Sequence, residues 1–161
     1  MISTLTGPPL SSLTGGTSYP PETHSWWVSG YRDYLSVWAS AGIPVLVIRD
    51  TPVPRETISS IPDCLAIHGN DATSCSGPRG RWVQPDPLAE AATSLANSRV
   101  GVVDLTDLFC DNSQCFAVVG GVVVYFDGSH LTATFARTVA PVLAPYLEAM
   151  VHHRPVPTGS Q

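Results

Sequence analysis

The sequence predicts an α/β domain with a central parallel sheet, and three observations lead there. An amphipathic helical pattern runs directly into a short apolar segment, and the same helix-then-strand order then repeats. Both short segments are apolar at consecutive positions, as strands covered by helices on both faces must be. A long, Ala-rich apolar segment closes the chain and reads as a final covering helix.

Residues 1–24 hold a strand-like scrap followed by Gly7-Pro-Pro, Thr14-Gly-Gly-Thr and Tyr19-Pro-Pro, which is loop composition. From Ser25 to Ala41, Trp27, Tyr31, Tyr34, Leu35 and Trp38 recur at three- and four-residue intervals, as one face of a helix requires. Ser25 suits its N-cap and Gly42 its C-cap. Ile43-Pro-Val-Leu-Val-Ile-Arg49 is too short for a helix and reads as a buried strand, ended by the extended loop Asp50-Thr-Pro-Val-Pro54. Residues 62–84 read as irregular. Pro87 to Asn97 is a second helix on Leu88, Ala91, Ala92 and Leu95, and Val100-Gly-Val-Val-Asp104 a second strand. Phe116–Val119 and Val122–Phe126 flank Gly120-Gly121 as a hairpin or a bent strand pair. Leu131 to Val151 is the last helix, bent at Pro141 or Pro145. From His152 onward the chain is expected to be a flexible tail, leaving 25–151 as the folded domain.

With 161 residues, the chain suits one domain able to bury roughly two-thirds of its unfolded surface. A formal charge of −5 with no basic cluster argues against a nucleic-acid partner, and every basic side chain is Arg. No apolar run approaches the roughly 18 residues that would span a bilayer, and no signal-peptide pattern opens the chain.

The four cysteines form two local pairs, Cys64 with Cys75 and Cys110 with Cys115. Proximity favours two short-loop disulfides, each contributing roughly 2–3 kcal/mol in the chain-entropy view. Free thiols and a zinc site are the competing readings, the latter weakened by the lack of finger spacing. Disulfides imply an oxidising compartment. That reading and the missing export signal agree if the chain is the tail of a longer exported protein.

The chemistry concentrates in Tyr125-Phe-Asp-Gly-Ser-His-Leu-Thr132, between an apolar strand and the last helix. Strand ends are where α/β folds meet ligands. A carboxylate that fixes an imidazole's tautomer, and an imidazole that takes a proton from serine, are two members of an acyl-transfer triad. Asp127 and His130 are therefore the candidate acid and base; a helix-capping Asp in a surface loop is the plainer reading. Trp82, following Arg79 and Arg81, is a candidate acceptor-binding residue. Asp50 either bonds loop amides or lines the site. Asp104 and Asp107 suit turn capping. Trp26, Trp27 and Trp38 suit core or interface packing better than a glycan platform, and His24 and His68 suit solvated loops.

Asp104-Leu-Thr-Asp-Leu-Phe-Cys110, Cys115, Gly120-Gly121, Tyr125, Asp127, His130-Leu-Thr132 and Phe135-Ala136 together resemble a known block. It is the C-terminal block of the SGNH-type domain appended to membrane acyltransferases of the acyltransferase-3 family. Asp50-Thr-Pro52 and Pro62-Asp-Cys64 extend the resemblance to about residues 30–148. It implies a three-layer SGNH-hydrolase-like fold, N-terminally incomplete, with Asp127 and His130 as triad acid and base. It further implies O-acyl transfer to a cell-envelope glycan or other hydroxyl acceptor on the extracytoplasmic side, with an acyl donor and an integral-membrane acyltransferase domain as partners. No cofactor and no metal are called for. The family's nucleophile lies in a Gly-Asp-Ser segment that this sequence lacks; Ser3, Ser11 and Ser12 sit in no such context, and Ser129 is adjacent to the base itself. A stand-alone esterase with another serine, and a glycan-binding module that keeps the fold without the reaction, are the rival expectations.

Overall fold

The computed structural model describes residues 21–69, 71–152 and 154. In chain order the elements are α1 (Pro21–Ser40), β1 (Val45–Ile48), α2 (Ile61–His68), β2 (Gly77–Pro78), α3 (Arg79–Trp82) and α4 (Pro87–Leu95). Then come β3 (Val100–Val103), β4 (Gln114–Cys115), β5 (Val118–Val119), β6 (Val122–Val123) and α5 (Ala133–Val151). The expected strand scrap and most of the loop in residues 1–24, and nearly all of the tail, lie outside the described residues.

β1 and β3 pair in parallel, Val45 beside Val100 through Ile48 beside Val103. Alternation along them divides the core in two, because successive side chains leave a strand on opposite faces. Val45, Val47, Val100 and Val102 pack with Leu35 of α1 and Ala89, Ala91 and Ala92 of α4. Leu46 and Val103 pack on the other face with Phe109, Tyr125, Phe135, Val139 and Tyr146, the last three from α5. Helices thus cover both faces of a parallel pair, as expected. The wider central sheet is not seen among the described residues: 118–123 turns back on itself as the antiparallel hairpin β5–β6. Gly120 and Gly121, with φ of +57° and +79°, supply the double positive-φ turn that a two-residue hairpin needs.

The backbone N–H groups of Val45 and Arg49 reach carbonyls of Arg99 and Val103, so odd-numbered residues of β1 point their amides at β3. Leu46 and Ile48 therefore point theirs to the opposite side, where no strand pairs among the described residues. Ile48 is 47% exposed.

Two helix ends follow their sequence signals, but α1 is already helical from Pro21, so Ser25 lies inside it and is not its N-cap. Gly42, at φ +79°, closes α1, with the Ile43 N–H reaching back to the Trp38 carbonyl. Asp86 caps α4 by accepting from the amides of Leu88 and Ala89. Pro141 and Pro145 stand four residues apart on the exposed side of α5, each removing one backbone donor.

Three expectations change. Residues 61–68 are a helix, not irregular chain: Ser60 caps it through the Asp63 amide and Pro62 fits its first turn. The buried stripe of α1 is Val28, Tyr31, Leu35 and Ala39, while Trp26, Trp27, Tyr34 and Trp38 stay largely exposed. The aromatics beside that stripe find no cover among the described residues. His24 lies in α1 and bonds Glu90 of α4 at 2.8 Å rather than standing free in a loop.

Both cysteine pairs are disulfides, Cys64–Cys75 and Cys110–Cys115. They staple the region between β1 and α5, where secondary structure is short. Tyr125 sits in that region fully buried, edge-on to Trp82, and its hydroxyl has no hydrogen-bond partner among the described residues. Burial pushes its ionisation well above the usual tyrosine range. An orphaned buried hydroxyl costs about 1–3 kcal/mol, so Tyr125→Phe is expected to stabilise the domain by about 1 kcal/mol or more in urea unfolding. A loss of stability would reveal a partner for the hydroxyl.

Candidate active site

The loop from Tyr125 to Thr132 is closed at its base and shaped by its own carboxylate. Tyr125 bridges to Leu131, and the Phe126 N–H donates to the His130 carbonyl at 2.7 Å. Asp127 Oδ1 accepts from the amides of Ser129 (2.7 Å) and His130 (2.8 Å), the local bonding that an Asp at a turn start favours. Thr132 anchors the far end: its hydroxyl donates to the Val123 carbonyl and accepts from the Phe135 amide, capping α5.

The chain after β1 holds this loop from the other side. Arg55 N–H donates to the Gly128 carbonyl at 2.8 Å, and Ile61 N–H reaches the Asp127 carbonyl at 3.4 Å. A Cβ on Gly128 would stand 2.5 Å from the Ser59 carbonyl oxygen. The position is therefore closed to any side chain, which is why glycine sits inside the pair.

With Oδ1 satisfied by amides, Oδ2 faces His130 Nδ1 at 2.8 Å. The His130 backbone amide, its ring and the Ser129 amide hold the Asp127 carboxyl well below the usual carboxylate range. An ionised carboxylate only accepts, so Nδ1 carries the proton, and in the neutral ring it is Nε2 that keeps the lone pair. Nothing among the described residues bonds Nε2. The His130 side chain is 75% exposed and that of Asp127 41%, so the pair lies open to a reactant.

The depressed Asp127 ionisation fixes a sign. The stabilisation is fully present above the ordinary carboxylate pKa of about 4 and is lost as pH falls through the lower folded-state value. The Asp127 carboxyl carbon resonance is therefore expected to hold its ionised position as pH falls through 4. A titration near 4 would contradict this bonding pattern.

The other sequence candidates fall elsewhere. Trp82 is fully buried, with its indole N–H on Thr57 Oγ1 at 2.7 Å, so it has no surface to offer an acceptor. Asp50 bonds the Thr51 amide at 2.9 Å, the loop role rather than a place in the pair. Asp104 accepts from the Thr106 amide and pairs with Arg49, while Asp107 pairs with Arg79. A cleft of about 380 Å³ between α4 and β3, lined by Arg49, Glu90, Thr93 and Asp104 among others, contains neither Asp127 nor His130. Ser3, Ser11 and Ser12 lie outside the described residues. Sequence reasoning missed Arg55, whose guanidinium donates to Ser129 Oγ across 74 positions of chain.

Comparison with known proteins adds one finding. A family model described as "SGNH domain (fused to AT3 domains)" matches residues 8–145. No curated protein and no solved structure matches.

Proposed function

The chain belongs to the family of SGNH domains fused to AT3 domains, and from that premise we propose that it supplies the acid–base half of a serine-dependent acyl-transfer site. The substrate we assign is an acyl ester whose acyl group passes to a hydroxyl of a cell-envelope glycan, or to water. The observation that carries the reading is the 2.8 Å contact between Asp127 Oδ2 and His130 Nδ1, made with Nε2 left free.

In this reading His130 Nε2 takes the proton of a serine hydroxyl as that oxygen attacks the acyl carbonyl. It returns the proton to the departing alcohol, then repeats the exchange with the acceptor hydroxyl. Asp127 keeps the ring oriented and stabilises the imidazolium formed at each step. The nucleophile comes from outside the described residues. Ser129 does not qualify, because its Oγ lies 3.3 Å from Nδ1, on the side of the ring facing Asp127. The two disulfides support an extracytoplasmic setting. No helix among the described residues is long and apolar enough to cross a membrane. An AT3 membrane domain is the partner that would deliver the acyl group.

Fluorophosphonate labelling of the protein that carries this domain tests the reading. A labelled serine whose labelling collapses in His130→Ala supports it. Labelling that proceeds unchanged in His130→Ala, or glycan binding with no ester chemistry at all, overturns it.

A further inference from the structure

The Ser129 hydroxyl stands between both members of the pair and a cation. Its Oγ is 3.3 Å from Asp127 Oδ1 and 3.3 Å from His130 Nδ1, and it accepts a hydrogen bond from the Arg55 guanidinium. Arg55 is itself fixed beside the loop by its N–H on the Gly128 carbonyl at 2.8 Å. A guanidinium only donates, so Ser129 Oγ must accept in that bond and has a single proton to give. Two acceptors compete for that proton: the anionic Oδ1, and Nδ1 in the tautomer that leaves this nitrogen bare.

We propose that Arg55 is a positioning residue that acts through the Ser129 hydroxyl to hold His130 in its Nδ1–H tautomer. The proposal rests on the acid–base reading above, because only that tautomer leaves Nε2 able to take a proton. With the guanidinium on Oγ, the serine O–H is turned towards Asp127 Oδ1, and Nδ1 must donate its own proton to Oδ2. Without the guanidinium, the hydroxyl is free to rotate about its Cβ–Oγ bond and to donate to Nδ1 in the minor share of rings whose Nδ1 is not donating to Oδ2. That bond stabilises the Nε2–H tautomer, whose Nε2 has no lone pair for a nucleophile's proton. Ser129, which does not qualify as the nucleophile, then has a defined part: left unrestrained, it competes with Asp127 for Nδ1 and lowers the share of rings with a bare Nε2.

The test reads the imidazole ¹⁵N resonances of His130 in the ¹⁵N-labelled chain at about pH 9, above the ordinary imidazole range. Wild type is expected to show a protonated Nδ1 and a bare Nε2. Arg55→Ala is expected to raise the Nε2–H share by about two- to tenfold, the population change that one ordinary hydrogen bond supports. Arg55→Lys, which keeps a donor, should lie between the two. The decisive variant is Arg55→Ala combined with Ser129→Ala: with no hydroxyl to donate to Nδ1, it should return to the wild-type tautomer. The proposal is overturned if Arg55→Ala leaves the resonances unchanged, or if the double variant keeps the Arg55→Ala pattern. Asp127→Asn separates the two levels of the argument. If wild type shows no Nδ1–H, or Asp127→Asn leaves the tautomer untouched, the acid–base reading fails. If both controls behave and Arg55→Ala is silent, only the role of Arg55 fails. Amide spectra of each variant confirm that the loop remains folded.

Discussion

Changing His130 to Ala is expected to slow acyl-ester turnover by the protein carrying this domain by about 10⁴-fold or more, the scale seen when a triad loses its base. The size follows from the chemistry of the nucleophile. A serine hydroxyl at neutral pH is a poor attacking group, and nothing else in the loop can take its proton. Asp127 already carries bonds from two amides and from Nδ1, and its depressed ionisation makes it a weak base. Asp127→Asn keeps the loop's shape but offers Nδ1 a donor in place of an acceptor, and a loss approaching 10⁴-fold is expected from the wrong tautomer alone. Release of p-nitrophenol from an acetyl ester, followed over pH, measures both. Turnover that survives His130→Ala within about tenfold would remove the pair from the chemistry.

Trp82→Ala is expected to cost about 3–5 kcal/mol in urea unfolding, the range for deleting a buried large aromatic. Against a typical domain stability of about 5–15 kcal/mol, that leaves a chain near its folding threshold. Trp82 is fully buried, stacks edge-on with Tyr125, and ties its own segment to two others. Its indole N–H bonds Thr57, and its carbonyl accepts from Val53 at 2.8 Å. Gly77 also lies hard against the ring: a Cβ there would stand 2.2 Å from the indole nitrogen. Gly77→Ala should therefore destabilise as well, through overpacking, by about 1–3 kcal/mol. A Trp82→Ala variant that unfolds at the wild-type urea midpoint would show that this cluster is not part of the cooperative core.

The elements legible in the sequence are those whose burial writes a period into the chain. β1 and β3 are apolar on both faces because helices cover both, and Gly42 and the Ser25–Ala41 spacing marked α1. α2 was hidden because Pro62 and Cys64 read as loop residues, although Ser60 and Pro62 together are a helix start. The aromatic stripe of α1 misled for a different reason. Spacing locates a face, but what packs against it, here mainly the small alanines of α4, decides how much of that face is covered. At the site, Asp127 and His130 were legible because three positions of chain set their contact. Arg55 was not, since its bond to Ser129 exists only once the chain after β1 folds against the loop. Trp82 looked like a surface residue beside two arginines, and only packing against Gly77 and Tyr125 shows otherwise.

The outward-pointing amides of Leu46 and Ile48 bear on how this chain behaves at high concentration. A bare strand edge with apolar side chains recruits other strands, including those of identical molecules, by the same bonds that build a sheet. Whichever segment pairs with that edge therefore governs solubility as well as sheet width. Expression trials should treat the partner of β1 as a formulation requirement: a chain whose β1 is left bare is expected to aggregate before it unfolds.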